Sequence, residues 1–378
     1  MSQENDLTGM ISPRGVYGYI PGLDGIRAIA VLIVLAAHFG LSNLIPGGFG
    51  VTLFFFISGF LITRLLLAET DVKGRVSLRQ FYTRRVIRLY PALLFMLLVS
   101  TLVFWISGFK GPSGTEVSMS VFYLANLYQL LGDIGITTPT MSWRPLWSLA
   151  VEEHFYLVFP LLLVLIGAKT QMFLRLLVAV LILMPLWRLV ISFTTSPEFS
   201  SSYTYMMSDT RMDSIVWGCL LSVLLHRPKF DVMLGRLIGW LPFLSGLAVL
   251  FFCFVFRDDL FRNTIRYSLQ GAAIFVLILN FYFNPKLLFA VKLCEFRPLA
   301  YLGVLSYGLY LWHFPIIDWL TQMSGSHMIA VLCGFPLTIL IAHMSYRYVE
   351  TPFIRLRKRF GAHIIQRVGD KKEVHAKA

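Results

Sequence analysis

Charge is what this chain has least of. Asp, Glu, Lys and Arg together make up 14% of its 378 residues, against about a quarter in soluble domains. That excludes an ordinary water-facing surface over most of its length. Cysteine is scarce too. Cys219, Cys253, Cys294 and Cys333 are scattered without paired spacing, which excludes a disulfide framework and a metal set and leaves small apolar side chains in or near helices. No Asp-rich loop suited to a metal or a diphosphate is present, which counts against a lipid-linked sugar transferase. There is no alternation of apolar and polar residues of the β-barrel kind. The amino-terminal arm, Met1 to Pro21, lacks the basic start and cleavage-like end of a signal peptide. It reads as a short cytosolic arm, with the first span retained. No internal repeat is visible, which weighs against many transporter folds.

What the chain has instead is hydrocarbon. Hydrophobic residues make up 57% of it, and apolar runs of about 18 residues or more recur throughout. The fold class is therefore an all-α polytopic membrane protein. About ten transmembrane helices are expected, near 27–45, 48–68, 89–108, 146–167, 171–193, 211–226, 236–256, 266–284, 299–320 and 327–347. One set of loops holds Arg75, Arg79, Arg84, Arg85 and Arg88, then Lys169 and Arg175, then Arg227, Lys229 and Arg236, then Lys286, Lys292 and Arg297, then the basic tail. The positive-inside rule puts those loops and both termini in the cytosol, in a plasma (bacterial inner) membrane. The same reasoning absorbs the net charge of +13, so nucleic acid is not expected as a partner. The expected organisation is an arm over 1–26, one membrane domain over 27–353 and a basic cytosolic tail over 354–378. The apolar stretch from Val117 to Leu131, in the largest outside loop, is too weak for a span and suits a re-entrant or interfacial segment.

Several polar residues interrupt the hydrocarbon. Arg27 stands at the mouth of the first span and His38 eleven residues on, about 16 Å deeper and near the middle of the bilayer core. An imidazole at that depth is a functional-site candidate, the alternative being a buried His bonded to a carbonyl. Ser58-Gly59 interrupts the second span and suits either a close helix contact or close backbone approach to a ligand. Arg85 and Arg88, three apart on one helix face, suit phosphate recognition or simple anchoring at the cytosolic surface. In Trp143 to Tyr156 the tryptophans mark an outer interface, and Glu152 and Glu153 enter the fourth span. Adjacent helical residues diverge by roughly 100°, so at most one of the two carboxylates is expected to face a given interior site. Ser148 shares a face with Glu152. His38, from the cytosol, and Glu152, from outside, have summed depths of roughly 25 Å, which permits them to meet. Arg211 and Asp213 read as ion-pair partners of other helices. His313 reads as structural, bonding a carbonyl that Pro315 frees.

Taken together these motifs resemble the membrane acyltransferase 3 family, which O-acylates cell-surface glycans and other hydroxylated acceptors. The matching residues are Leu23 to Arg27 with His38, Phe54 to Thr63 with Ser58-Gly59, Arg85-x-x-Arg88 before Leu89-Tyr90-Pro91, Trp147 to Tyr156, Arg211-Met212-Asp213, Tyr307 to His313, and Val349 to Phe353. They run from the first span to the last. His154 stands where many relatives have Gln, and the extra outside hydrolase-like domain of some relatives is missing from this sequence. The resemblance implies that His38 is the essential catalytic His, with Glu152 or Glu153 as the acidic partner. It implies that Arg85 and Arg88, with Arg27 of the Arg-to-His motif, serve an acyl-CoA donor. Ser58, Trp147, Ser148, Arg211, Asp213 and His313 then support the acceptor side or the structure.

The resulting expectation is transfer of an acyl group, acetyl being commonest in such families, from cytosolic acyl-CoA to a hydroxyl of an extracytoplasmic glycan or glycolipid. Acetyl-CoA enters as donor substrate, with no permanently bound cofactor and no metal. Direct attack by an acceptor hydroxyl that His38 deprotonates is one route, and an acyl-enzyme on His38 or a Ser is another. The competing class is a transporter or flippase for a polar or lipid-linked solute. It also accounts for ten spans and buried charge, but gives no reason for the Arg pair and His38 to lie in series.

Overall fold

The computed structural model describes residues 20–140, 143–167 and 170–357. The arm up to residue 19, Lys169 and the tail beyond 357 lie outside the described residues. Ten long helices carry the chain, and no strand occurs among the described residues. They are α1 (Leu23–Ala36), α2 (Gly47–Lys73), α3 (Leu78–Ile106), α4 (Leu146–Ile166), α5 (Gln171–Thr194), α6 (Ser208–Leu225), α7 (Trp240–Val255), α8 (Arg266–Phe283), α9 (Ser306–Ser324) and α10 (His327–Ser345).

Among the described residues, six helices are long and apolar enough to cross a membrane, or up to nine if each of three bent pairs counts as one span. The bends are physical interruptions of spans that the sequence shows as single apolar runs. Pro228–Gly235 meets α7 at 78°, Pro285–Cys294 leaves α8 at 86°, and Arg297–Val304 meets α9 at 70°. Each bent segment begins at or one residue before a proline, which supplies no N–H to a preceding helical turn. The sixth expected span, 211–226, corresponds to α6, an 18-residue helix that is not among those nine. Its first turns carry Asp209, Arg211 and Asp213, so its apolar part is short.

Burial separates centre from periphery. In α2, 72% of the apolar window is buried, against 22% in α5, so α2 is the axial helix and α5 turns most of its surface outward. α2 packs closely against α6. A Cβ on Gly59 would overlap the Ile215 carbonyl oxygen, and one on Gly218 the Phe56 carbonyl oxygen. Small residues let two backbones touch where lipid gives no hydrophobic drive for association. Gly59 thus has the helix-contact role. Its neighbour Ser58 faces elsewhere, as described below.

The stretch 117–131 is not a span. It forms two short helices, Gly114–Val121 and Ala125–Asp133, joined at Tyr123. Tyr123 has a φ of 56°, a left-handed conformation that costs a non-glycine residue energy. This hairpin also corrects the placement of Trp143 and Trp147. Both are buried, at 1% and 4% exposure, not set at a lipid interface. Trp143 packs in one apolar cluster with Tyr123, Ala125 and Phe104 and donates its Nε1–H to Ser100 Oγ at 3.1 Å.

Candidate active site

The first helix decides where His38 stands. Regular α-helix ends at Ala36 and gives way to one wider turn, Ala37–Leu41, with Gly40 at a φ of 99° closing it. Such wide turns occur often at functional sites. His38 is therefore in the last turn of a helix that began at Leu23, near its far end. Arg27 lies one turn inside the opposite end, where its guanidinium reaches Asp24 at 3.4 Å.

His38 and Glu152 are not paired. His38 Nδ1 lies 2.9 Å from His313 Nε2, with ring centroids 5.0 Å apart and planes 10° from parallel. His313 Nδ1 lies 2.6 Å from the Tyr310 carbonyl oxygen. That carbonyl is one residue before the Leu311 carbonyl that Pro315 frees in helical geometry, so His313 binds a neighbour of the expected acceptor. Tyr310 continues outward. Its hydroxyl donates to the Pro145 carbonyl at 3.0 Å and lies 2.6 Å from Ser148 Oγ. The order His38, His313, Tyr310, Ser148 joins α1, α9 and α4.

The chain of contacts fixes proton positions. A carbonyl only accepts, so His313 carries its hydrogen on Nδ1. In the neutral ring, Nε2 then holds a lone pair and accepts from His38 Nδ1–H. Neutral His38 is left with its lone pair on Nε2, the nitrogen turned away from His313.

Beside this chain lies a cavity of about 110 Å³, to which α1, α2, α3, α4, α9 and the Tyr123 hairpin contribute. Arg27, Arg85 and Arg88 line it, as do Ser58, Ser148, Glu152 and Glu153. Ser58 Oγ donates to Glu152 Oε1 at 2.7 Å. The Arg85 guanidinium stacks 4.0 Å above the Tyr156 ring, a contact that holds a cation flat against an aromatic face. Both glutamates face the cavity, where one was expected. The cavity wraps around α4, so side chains diverging by about 100° still reach it. His38 is not in its lining and stands behind Tyr310, which is.

Arg84, next in sequence to Arg85, is engaged differently. It donates to Glu69 Oε2 at 3.3 Å, and Lys73 donates to Glu69 Oε1 at 2.9 Å. One acid of α2 thus holds a lysine of its own last turn and an arginine of α3, while Arg85 and Arg88 line the cavity. His154 takes no part in the cavity, and its Nδ1 lies 2.6 Å from Ser208 Oγ at the start of α6.

Arg211 and Asp213 do not pair with each other. Asp213 receives both Nη groups of Arg188 at 2.8 and 3.1 Å and the Ser268 hydroxyl at 2.6 Å, all buried. Arg211 donates to Thr52 Oγ1 at 3.1 Å, and its guanidinium lies 3.8 Å over the Tyr267 ring. Phe55, Trp147 and Tyr205 surround it at 5.6 to 5.7 Å. Trp147 is a wall of this aromatic cage and not of the cavity.

Sequence reasoning gave no role to four tyrosines of the cavity, Tyr123, Tyr156, Tyr307 and Tyr310, although three of them stand in the matching motifs. Tyr310 carried a signal, since it lies three residues before His313 on the same helix face. Tyr123 carried none, being one aromatic in a weakly apolar stretch. Arg188 was hidden the same way, as a single charge inside the long apolar run of α5.

A family model described as an acyltransferase domain matches residues 20–347. The O-acetyltransferase OatA of Staphylococcus aureus (strain NCTC 8325) is 34% identical over 364 residues, covering 92% of this chain and 58% of that protein. The peptidoglycan O-acetyltransferase OatA of Listeria monocytogenes (strain EGD-e) is 30% identical over 353 residues, covering 88% of this chain and 56% of its own length. The chain thus spans less than three fifths of the curated relatives it matches.

Proposed function

The chain belongs to the acyltransferase 3 family, and on that footing we propose that it is an integral-membrane O-acyltransferase. It moves an acetyl group from acyl-CoA at the cytosolic face to a hydroxyl of a glycan or lipid-linked saccharide presented from the opposite face. The observation that carries this reading is the juxtaposition of two sites: a cavity with Arg27, Arg85 and Arg88 around it, and, across Tyr310, the His38–His313 pair.

Each part has a chemical use in acyl transfer. Guanidiniums grip phosphates through two parallel N–H bonds, which suits the phosphates of coenzyme A. A cavity of about 110 Å³ has room for the acetyl thioester end of the donor, with the rest of the arm and the nucleotide left outside it. His38 Nε2 takes the proton of the acceptor hydroxyl, and that oxygen attacks the thioester carbonyl. The C–S bond then breaks, the coenzyme leaves as a thiolate, and the proton on His38 goes to the sulfur. Positive charge building on His38 is shared through Nδ1 with His313. The Ser306 hydroxyl, buried in the cavity wall without a hydrogen-bond partner, is a donor to hand for a developing oxyanion.

The test is purified protein in liposomes with labelled acetyl-CoA and a saccharide acceptor. Release of free thiol with label appearing on the acceptor is the expected result. Absence of thioester cleavage in protein shown to be folded would remove the reading. Label trapped on the protein with donor alone would replace direct transfer by an acyl-enzyme route.

A further inference from the structure

A second cavity, of about 400 Å³, opens at the other end of α1, between the Ser42–Pro46 turn, the start of α2, the end of α7 and the start of α8. Arg257, Arg262 and Arg266 line it with Asn43, Tyr205 and Gln270, and no carboxylate does. The nearest acids are already engaged. Asp259 pairs with Arg262 at 3.5 Å, and Asp258 accepts the Phe261 N–H at 2.8 Å as a helix cap. Arg266 gives one Nη to the Tyr267 hydroxyl at 3.1 Å, while its Nε is buried without a partner. Arg211 lies directly behind Tyr267, fully buried, with Nε and Nη1 also unpartnered. Its neighbour Asp213 is taken up by Arg188.

Counting charges shows what the site is missing. The Arg188–Asp213 and Arg262–Asp259 pairs cancel, and the exposed helix-capping Asp258 offsets one further charge, which still leaves a positive balance. Arg211, Arg257 and Arg266 have no ion-pair partner among the described residues, and two of them carry buried N–H groups with no hydrogen-bond acceptor, facing aromatic rings instead. Leaving such donors unpaired is costly, and more so when they are charged. From this geometry we infer that the cavity binds an oxyanion, a carboxylate or phosphate carried by the saccharide acceptor, with Arg257 and Arg266 as its grip. The identification of the bearer as the acceptor rests on the function proposed above. His38 lies four residues before Ser42, so the site opens at the same end of α1 as the base and opposite the end that holds Arg27. An acceptor held there by its anion would be kept apart from the phosphates of the donor. Arg211 lies between the two cavities, touching Phe55 of one and Tyr205 and Tyr267 of the other.

The test uses the full chain in nanodiscs of neutral phosphatidylcholine, with no donor present. Glucose 6-phosphate and glucuronic acid are compared with glucose at constant ionic strength, by intrinsic fluorescence titration. The inference expects the anionic sugars to bind about tenfold or more tightly than glucose. The preference should vanish in Arg257→Gln/Arg266→Gln, persist in part in Arg257→Lys/Arg266→Lys, and survive in Arg85→Ala/Arg88→Ala. Equal binding of all three sugars overturns it. So does a preference lost in the Arg85/Arg88 variant and kept in the Arg257/Arg266 variant, which would place the anion in the first cavity. If phosphatidylglycerol binds at Arg257 and Arg266 while neither anionic sugar binds in neutral discs, the site serves a lipid headgroup and the acceptor assignment falls. Because no thioester is consumed, failure here and failure of the acyltransferase reading are separately visible.

Discussion

His38 hands its Nδ1–H to His313, and His313 hands its own to the Tyr310 carbonyl, so two imidazoles on helices far apart in sequence share one proton order. On the proposed function, His313 is a positioning residue that acts through His38. His313→Ala should lower kcat by about tenfold to a hundredfold, leave KM for acetyl-CoA within about twofold, and change the pH profile of kcat. His313→Gln, which can still accept from His38, should recover part of the rate. A structural role alone would lower the yield of folded protein and leave the pH profile in place.

Glu152 and Ser58 form the next testable pair. Ser58 Oγ donates to Glu152 Oε1 at 2.7 Å, across α2 and α4. Glu152→Gln keeps an acceptor for the hydroxyl and removes the charge. Glu152→Ala strands the hydroxyl. If the carboxylate balances the arginines of the cavity, both variants should lose transfer by about tenfold or more. If it serves only Ser58, Glu152→Gln should transfer at close to the wild-type rate.

Arg85 stacks on Tyr156 while facing the cavity. Arg85→Ala/Arg88→Ala should weaken acetyl-CoA binding by at least about tenfold, since each charge-assisted bond contributes roughly 1.5–3 kcal/mol. Arg85→Lys should recover less than half of that loss in free-energy terms, because an ammonium neither stacks nor bonds in two places. A donor cut back to S-acetylpantetheine, which carries no phosphate, should bind wild type and the double variant alike.

The buried Arg188–Asp213 pair is a structural prediction. Asp213→Ala would leave a guanidinium without its countercharge, at a cost of about 3–5 kcal/mol. A large fall in the detergent melting temperature is expected, with Asp213→Asn, which keeps some bonds, falling between. An unchanged melting temperature would mean that Thr210 and Thr264, whose carbonyls also accept from Arg188, hold it unaided.

One pH dependence falls outside the spans. Burial raises the Asp133 carboxyl, but hydrogen bonds from Arg144 and Ser202 and the Arg144 charge outweigh it and hold the group below its ordinary value. A lowered folded value stabilises above the unfolded one. The contribution is thus complete above about pH 4 and is lost as pH falls further through the folded value. Asp133 ties the Ala125–Asp133 helix to Arg144 and Ser202. Acid should therefore lower the protection of amides 125–133 against hydrogen exchange, relative to their intrinsic rates, in the wild type, while Asp133→Asn should show low protection at all pH values tested.

Much of this was legible in the sequence because apolar length is a one-dimensional signal. α2 to α5 and α10 follow directly from their apolar runs. The bent pairs around α7, α8 and α9 were not visible, since a 70–86° turn needs only a proline and a residue or two. Within the site, Arg27, Arg85, Arg88, Ser58 and both glutamates could be singled out because charge in hydrocarbon is conspicuous. Their partners could not. Depth arithmetic treats each helix as a straight rod and gives no rotation about its axis. It therefore allowed His38 to meet Glu152, where rotation sends one to His313 and the other to Ser58. Tyr123 and Tyr310 were ordinary aromatics until the fold set them against the cavity.

The most direct measurement compares wild type with His38→Ala on one preparation, reading acetyl-CoA binding and acetyl transfer side by side. The account predicts donor binding within about twofold of wild type, since His38 is outside the donor cavity, and transfer lower by about a hundredfold to ten-thousandfold. Transfer at the wild-type rate in folded His38→Ala would contradict it, and would move the base to one of the two glutamates.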